Sequence, residues 1–312
     1  GGPVRYDMID LPLASFTPGE INLSVEDAKE LGYSEDIDGN ELTEDDQVVE
    51  LYPQDIVIST EAARYLLRTT KYIDTLLEKY YDAEPYYNAE SLDDLAGVLV
   101  MGLAPHTSAS VVGRLIGHAD VEANYAHPFY HAAKRRNADG DEDSIMLFMD
   151  GLLNFSQDYL PDRIGARTMD APLIFSSILN PYEIDDEAHN VETVSSYDRK
   201  FYYQTYHTLS PKEVDVEICE DILDSQRDIL HTTKTSDIAK GPKTSEYKTV
   251  DDGMVGKAEI QLGLANMSRS IDASYVAAKV INKHFIPDYI GNNNSYAQQQ
   301  FRCTSCGKKY DL

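Results

Sequence analysis

The run Lys134-Arg135-Arg136-Asn137-Ala138-Asp139-Gly140-Asp141-Glu142-Asp143-Ser144 sets three cations directly before a cluster of carboxylates. The surrounding chain has 312 residues and a formal net charge of -27, so a basic triplet is conspicuous. Carboxylate oxygens hold divalent cations, and Lys and Arg hold phosphates, so the run suits metal-dependent phosphate chemistry. Asp139 and Asp141 lie one residue apart. In extended or looped backbone alternate side chains project the same way, so Asn137, Asp139 and Asp141 can converge on one ion. Gly140 permits a backbone conformation that other residues resist. Glu142 and Asp143 fall out of that phase, and supporting or solvent-facing roles are expected for them. The run is not a calcium-binding EF-hand loop, because it lacks the Gly at position six and the Glu at position twelve. A solvated acidic turn is the competing reading, and the adjoining basic triplet weighs against it.

Just upstream, His127-Pro128-Phe129-Tyr130-His131 places two histidines at i, i+4. Pro128 stands where a zincin needs Glu, which excludes that motif. Two readings remain open. The histidines contact phosphate or template beside the carboxylates, or one packs while the other hydrogen-bonds.

The wider chain carries 54 acidic against 27 basic residues, and from Glu20 to Asp55 it has 13 acids and the single base Lys29. Acid spread this evenly points to a halophilic surface. It disfavours DNA binding through the general surface, since phosphate contacts need local Lys and Arg. Hydrophobic residues make up 42%, enough for a core. Three cysteines form no disulfide framework. No apolar run approaches 18 residues and the N-terminus is no signal peptide, so a cytoplasmic protein without membrane contact is expected. The missing initiator Met and the abrupt end suggest a fragment of something longer.

Four regions are expected: a β-rich segment 1–58, helices plus the carboxylate loop over 59–180, a more polar region 181–290, and a linker with a half-formed metal motif over 291–312. Ser24 should cap a short helix that Gly32 stops. Asp38-Gly39-Asn40 should turn, and Val48–Leu51 and Asp55–Ile58 should be strands. Leu66, Ile73, Leu77 and Tyr80 recur at helical spacing over 60–81, with Thr60 as cap. Further helices are expected from Ser91 to about Gly102, from Thr107 to Gly117, from Pro128 to Lys134, over Ile145–Leu160, near 211–230 and near 255–284. Leu173–Leu179 reads as a strand, and Gly291–Gln300 as a polar linker. Gly113 and Gly117 would serve helix packing and termination. Ala104–Ala109 is either a helix N-terminus facing an anion or a capped turn.

Cys303-Thr304-Ser305-Cys306-Gly307-Lys308-Lys309 has the form of a zinc knuckle but supplies two of the four ligands a structural zinc needs. Cys219 reads as a small buried hydrophobe. No G-x-S-x-G, P-loop or dinucleotide fingerprint is present.

Leu103–Ala109, Tyr125–Asn137, Asp139–Asp143, Gly151–Ser156, Met169–Leu173, Asp237–Lys243 and Phe301–Cys306 resemble, in order and spacing, the large subunit of the archaeal family D DNA polymerase. The resemblance covers nearly the whole chain. It implies an α+β fold holding the second of two double-psi β-barrels, with flanking helices and a truncated C-terminal zinc knuckle. It implies a replicative DNA polymerase working by two-metal nucleotidyl transfer. Asp139 and Asp141 match the family's catalytic aspartates and would hold Mg²⁺. Asn137 matches the Asn of that loop, and Lys134, Arg135 and Arg136 its basic run. Cys303 and Cys306 match the start of its zinc module and should bind Zn²⁺ only weakly without downstream ligands. Implied partners are primer-template DNA and dNTPs, a small 3′–5′ exonuclease subunit, the sliding clamp, and an upstream barrel carrying active-site lysines. Ala138 departs from the Cys usual before the first catalytic Asp, and His231–Thr235 departs from a more acidic family version. The rivals are a non-catalytic DNA-clamp or assembly module and a metal-dependent nuclease.

Overall fold

The computed structural model describes residues 5–105, 107, 109–136, 140–153, 174–180, 190, 192–194, 196–207, 209, 213–223, 237–240, 253–269, 271–298 and 300–310. In chain order these form β1 (Arg5–Pro12), β2 (Ser15–Phe16), α1 (Val25–Glu30), β3 (Val49–Glu50), β4 (Asp55–Ser59), α2 (Thr60–Leu76), β5 (Leu99–Leu103), β6 (Ala109–Ala119), β7 (Ala123–Ala126), α3 (Pro128–Ala133), β8 (Glu142–Leu147), α4 (Phe148–Leu153), β9 (Ile174–Ser176), α5 (Arg199–Tyr206) and α6 (Cys219–Ile222). Then follow α7 (Gly253–Met267), α8 (Ala273–Val280), α9 (Ile286–Gln298), β10 (Phe301–Arg302) and β11 (Lys309–Tyr310). The chain divides into two units, residues 1–244 and 245–312. None of the described helices is long and apolar enough to cross a membrane.

In the first unit seven strands form one sheet in the order β4-β7-β1-β8-β5-β6-β9, and β4 also pairs with β6. All the strands but β9 therefore close into a ring. β1 and β6 hold equivalent places in it. β1 pairs antiparallel with β8 over Arg5–Ile9 and parallel with β7 over Ile9–Pro12. β6 pairs antiparallel with β5 over Ser110–Arg114 and parallel with β4 over Arg114–Ala119. The fold is thus mixed α and β around a ring of strands.

Alternation along the strands feeds two cores. Ile56 and Ile58 of β4 join Val100, Val111, Leu115, Ile145 and Leu147 beneath Leu66 and Ile73 of α2. Val57, between them, faces Phe16, Ile21, Tyr33, Leu42 and Leu51 of the acid-rich segment. That segment turns most of its apolar side chains inward and leaves Glu35, Asp38, Glu44, Asp45 and Asp46 in solvent. It is fastened to the ring by Arg114, whose guanidinium grips Asp55 at 2.8 and 2.6 Å and donates to Leu31 O at 2.9 Å. Ser24 caps α1 and Gly32 follows it with φ +106°. Ser59, one residue before the expected Thr60, caps α2.

Several expected elements differ. Ser91–Gly102 is not a helix: a 3₁₀ turn at Asp93–Leu95 leads into β5. Thr107–Gly117 is not a helix either, but belongs largely to β6. Both strands are buried on both faces, so their apolar runs carry no alternation, and periodicity cannot separate them from a core helix. With β6 a strand, Ala104–Ala109 is not the N-terminus of a helix. Gly117 sits where a Cβ would lie 2.6 Å from Ile21 O, so it serves close approach of two backbones rather than helix termination. Ile145–Leu147 belongs to β8, and the helix that follows, α4, is described only to Leu153. Tyr80 is exposed. Near 211–230 only the short α6 is described as α-helix.

In the second unit the expected helix over 255–284 is interrupted between Met267 and Ala273, where Asp272 caps α8. The expected linker is largely helical, since α9 runs to Gln298. From Gly291 to Gln298 its side chains are mostly polar and all exposed, so no apolar stripe marked that stretch in the sequence. β10 and β11 pair antiparallel around the Cys303–Gly307 turn.

Gly117→Ala should lose about 1–3 kcal/mol, because overpacking meets fixed backbone. Gly263→Ala, in α7 with open space around it, should gain about 0.5–1 kcal/mol. Urea denaturation of the two variants checks both signs.

Candidate active site

The loop is presented by α3. Its N-cap is His127, whose Nδ1 accepts from Phe129 N–H at 3.1 Å, and Pro128 follows at the first helical position. Tyr130 points inward, fully buried, and donates to Val111 O at 3.0 Å. This approach requires glycine opposite: a Cβ on Gly102 would lie 2.6 Å from the Tyr130 hydroxyl and 2.7 Å from Lys134 Cδ. The helix ends in a Schellman turn, with Arg135 N–H on Ala132 O at 2.7 Å and Arg136 N–H on His131 O at 3.2 Å. Arg135 holds the left-handed position at φ +61°, where glycine is usual. For a residue with a Cβ that conformation costs on the order of 1–2 kcal/mol.

Beyond the turn the basic run divides. Lys134 is only 3% exposed. Its Nζ lies 3.0 Å from Asp10 Oδ2 and also donates to the Asp143 carboxylate. Asp10 Oδ1 accepts from Asn124 Nδ2 at 3.0 Å, and His131 Nδ1 stands 3.3 Å from Asp10 Oδ2. His131 Nε2 faces Leu11 O at 2.9 Å and so carries its hydrogen, since a carbonyl only accepts. Burial alone would raise the Asp10 carboxyl, but the His131 ring and the Lys134 ammonium hold it well below the usual carboxylate range. Burial pushes the Asp143 carboxyl up, and the nearby Asp10 charge adds to this against the pull of Lys134.

The expected phosphate contacts at Lys134, His127 and His131 are therefore turned into the protein. Lys134 bridges two buried carboxylates, His131 backs one of them, and His127 caps a helix. Asp143, expected to support the loop or face solvent, is 2% exposed and part of this clamp. Arg135 is exposed and Arg136 half-buried, with Arg136 Nη2 donating to Glu142 O at 3.1 Å.

Asp141 is held the other way. Its carbonyl accepts from Asp10 N–H at 2.8 Å, while Gly140 N–H returns to Asp10 O at 3.0 Å. Gly140 has φ +110°, which favours glycine here although a Cβ would meet nothing. The Asp141 side chain is 37% exposed and lies 3.5 Å from Arg136 Nη2. Asn137, Ala138 and Asp139 lie outside the described residues. Among the described residues no cluster of three or more His, Cys, Asp or Glu forms a metal centre. The donor chemistry of Asp141 nevertheless suits a hard cation that binds through one or two carboxylates and keeps its waters. Asp10 and Asp143 are already engaged by Lys134.

Asp10 and Asn124 were not singled out in the sequence. An acid inside the apolar strand Met8-Ile9-Asp10-Leu11 is a signal, but it is hidden among 54 acids.

Residues 1–257 match the family described as DNA polymerase II large subunit DP2, catalytic domain. The chain is also similar to curated DNA polymerase II large subunits. That of Natronomonas pharaonis is 51% identical over 314 residues, covering 99% of this chain and 26% of the relative. That of Pyrococcus furiosus is 50% identical over 314 residues, covering 99% and 25%. That of Archaeoglobus fulgidus is 49% identical over 315 residues, covering 99% and 27%. The chain belongs to the DNA polymerase II large-subunit family, as the resemblance in its sequence implied. It spans about a quarter of the length of these relatives.

Two measurements test the site. Lys134→Met should destabilise by about 3–5 kcal/mol, because it strands two buried carboxylates, whereas Arg135→Ala should stay within about 0.5 kcal/mol; thermal melts compare them. Among the thiols, burial pushes Cys219 up to about 11, while backbone N–H groups of Cys306 and Ser305 lower Cys303. Iodoacetamide at pH 8 should label Cys303 and spare Cys219, as read by mass spectrometry.

Proposed function

We propose that this chain carries the acidic half of the active centre of a DNA-directed DNA polymerase. The observation that carries the proposal is the outward Asp141 carboxylate beside Arg136, on a loop clamped through its backbone to β1. Asp139 and Asp141 would hold Mg²⁺, with the Asn137 carbonyl oxygen as a further donor. A bound divalent cation supplies Lewis acidity toward the primer 3′-hydroxyl and the α-phosphate of the incoming nucleotide. Arg135 and Arg136 would contact phosphates, the part that Lys134 is too buried to play. The matching places of β1 and β6 support reading the ring as a double-psi β-barrel. An upstream barrel would supply the cationic half of the centre, and the partners would be primer-template DNA, dNTPs, the small exonuclease subunit and the sliding clamp. In the second unit, the lowered Cys303 thiol supports Cys303 and Cys306 as two ligands of a structural Zn²⁺, completed by ligands elsewhere.

In the polymerase assembled from the full-length large subunit and its small subunit, Asp139→Asn and Asp141→Asn should each reduce primer extension to background while leaving the melting curve in place. Normal incorporation by either variant overturns the assignment. Primer degradation that depends on Asp141 and needs no dNTPs would instead indicate a nuclease.

A further inference from the structure

Asp10 is tied to the carboxylate loop in two independent ways. Its backbone brackets the loop, accepting from Gly140 N–H at 3.0 Å and donating to Asp141 O at 2.8 Å. Its side chain takes up Lys134, the residue that ends α3, at 3.0 Å. The same ammonium binds Asp143, just after the loop, so one buried point fixes both chain ends that carry Asp141. Asn124 donates to the other Asp10 oxygen, and the buried His131 ring stands against the carboxylate with Nδ1 at 3.3 Å, which restricts its orientation. The antiparallel β1–β8 register runs through Ile9↔Glu142, and its next step would pair Asp10 with Asp141. Gly140 instead supplies the returning N–H, a local bulge that its φ of +110° allows. The bulge stands immediately before Asp141, whose side chain reaches the surface.

We propose that Asp10 is a positioning residue for catalysis: through Lys134 and its own backbone it fixes the direction of the Asp141 carboxylate, without touching substrate or metal. This rests on the polymerase reading of the loop. The carboxylate of Asp141 can hold a cation tightly only if its direction is set in advance, because an unfixed ligand must be ordered at the cost of binding.

The test uses the full-length large subunit with its small subunit and compares Asp10→Asn, Asn124→Ala and Asp141→Asn. Asp10→Asn keeps the shape and removes the charge that holds Lys134. It should raise the Mg²⁺ concentration for half-maximal synthesis by about 10- to 100-fold, the usual effect of losing a residue that orients a metal ligand. Excess Mg²⁺ should restore much of the rate, and primer-template affinity, read by fluorescence anisotropy, should not change. A readout free of turnover is Fe²⁺-directed hydroxyl-radical cleavage of the chain beside Gly140 and Asp141, which should weaken in parallel. Asn124→Ala, which removes one hydrogen bond to Asp10, should shift the metal requirement in the same direction by less. It decides the matter should Asp10→Asn fail to fold. An unchanged metal requirement in a folded Asp10→Asn or, failing that, in Asn124→Ala overturns the inference, even where the rate falls with the folded fraction. Full activity of Asp141→Asn overturns the polymerase reading itself. Loss of activity in Asp141→Asn beside a wild-type metal requirement in Asp10→Asn overturns this inference alone.

Discussion

The burial of the Lys134 ammonium between Asp10 and Asp143 is the interaction on which the site depends. Taking three charges out of water is expensive, and the effective penalty after relaxation is still several kcal/mol per ion. The charged atoms of the cluster are paired, while Asn124 Oδ1 and His131 Nδ1 beside them are buried without a hydrogen-bond partner among the described residues. Asn124 and Ser144 N–H satisfy carboxylate oxygens that Lys134 does not, and His131 stands against Asp10. One cation against two carboxylates leaves an imbalance, and it is shared unevenly: Asp10 is held ionised while Asp143 is pushed toward its neutral form. Such a cluster contributes little net stability compared with an apolar core. It does specify one arrangement of three chain segments, and any slippage would strand a charge.

The rest of the ring is built to admit that cluster. Gly102 clears the path of the Lys134 stem and the Tyr130 hydroxyl, and Gly113 opens the opposite strand, where a Cβ would lie 3.0 Å from the same hydroxyl. The Tyr130 ring then lies 5.1 Å from the Lys134 ammonium, so an aromatic face covers the charge where water is excluded. The Arg135 left-handed turn redirects the chain at once. Arg135 thus turns to solvent, and Arg136 is half-buried, away from the clamp that Lys134 has just entered. Lys134 and Arg136, two residues apart, end in different surroundings because the positive φ of Arg135 separates them.

How much of this was legible follows from what each element tells its own residues. Ser24, Pro128 and the alternating apolar positions of α2 are local signals, and the elements they announce are present. β5 and β6 were hidden because strands buried on both faces lose the period of two that identifies them. The 291–298 part of α9 was hidden for the opposite reason, because Asn, Ser and Gln there carry no apolar period. At the site, the basic triplet and the Asp141 carboxylate could be picked out by composition, and Gly140 by its permissiveness. The division within the triplet could not. Lys134 is buried because Asp10, more than a hundred residues away in sequence, meets it together with Asp143. No spacing rule carries that information.

Charge explains why the division is useful. On the proposed polymerase reading, a loop that gathers carboxylates for a cation would repel the nucleic acid it has to meet, and a net charge of -27 adds a long-range field of the same sign. Salt weakens that field, since the screening length falls to about 3 Å at 1 M, but at contact distance only local cations offset it. Had Lys134 remained at the surface beside Asp141, it could have paired with the carboxylate and competed with the proposed cation. Buried, it spends its charge on Asp10 and Asp143, two acids that would otherwise deepen the repulsion beneath the loop. Arg136 stays 3.5 Å from Asp141, longer than a direct hydrogen bond, and Arg135 stays in solvent. The Asp141 carboxylate is therefore not drawn into a close hydrogen bond, while Arg135 and Arg136, the cations proposed to meet a phosphate, lie at its flank.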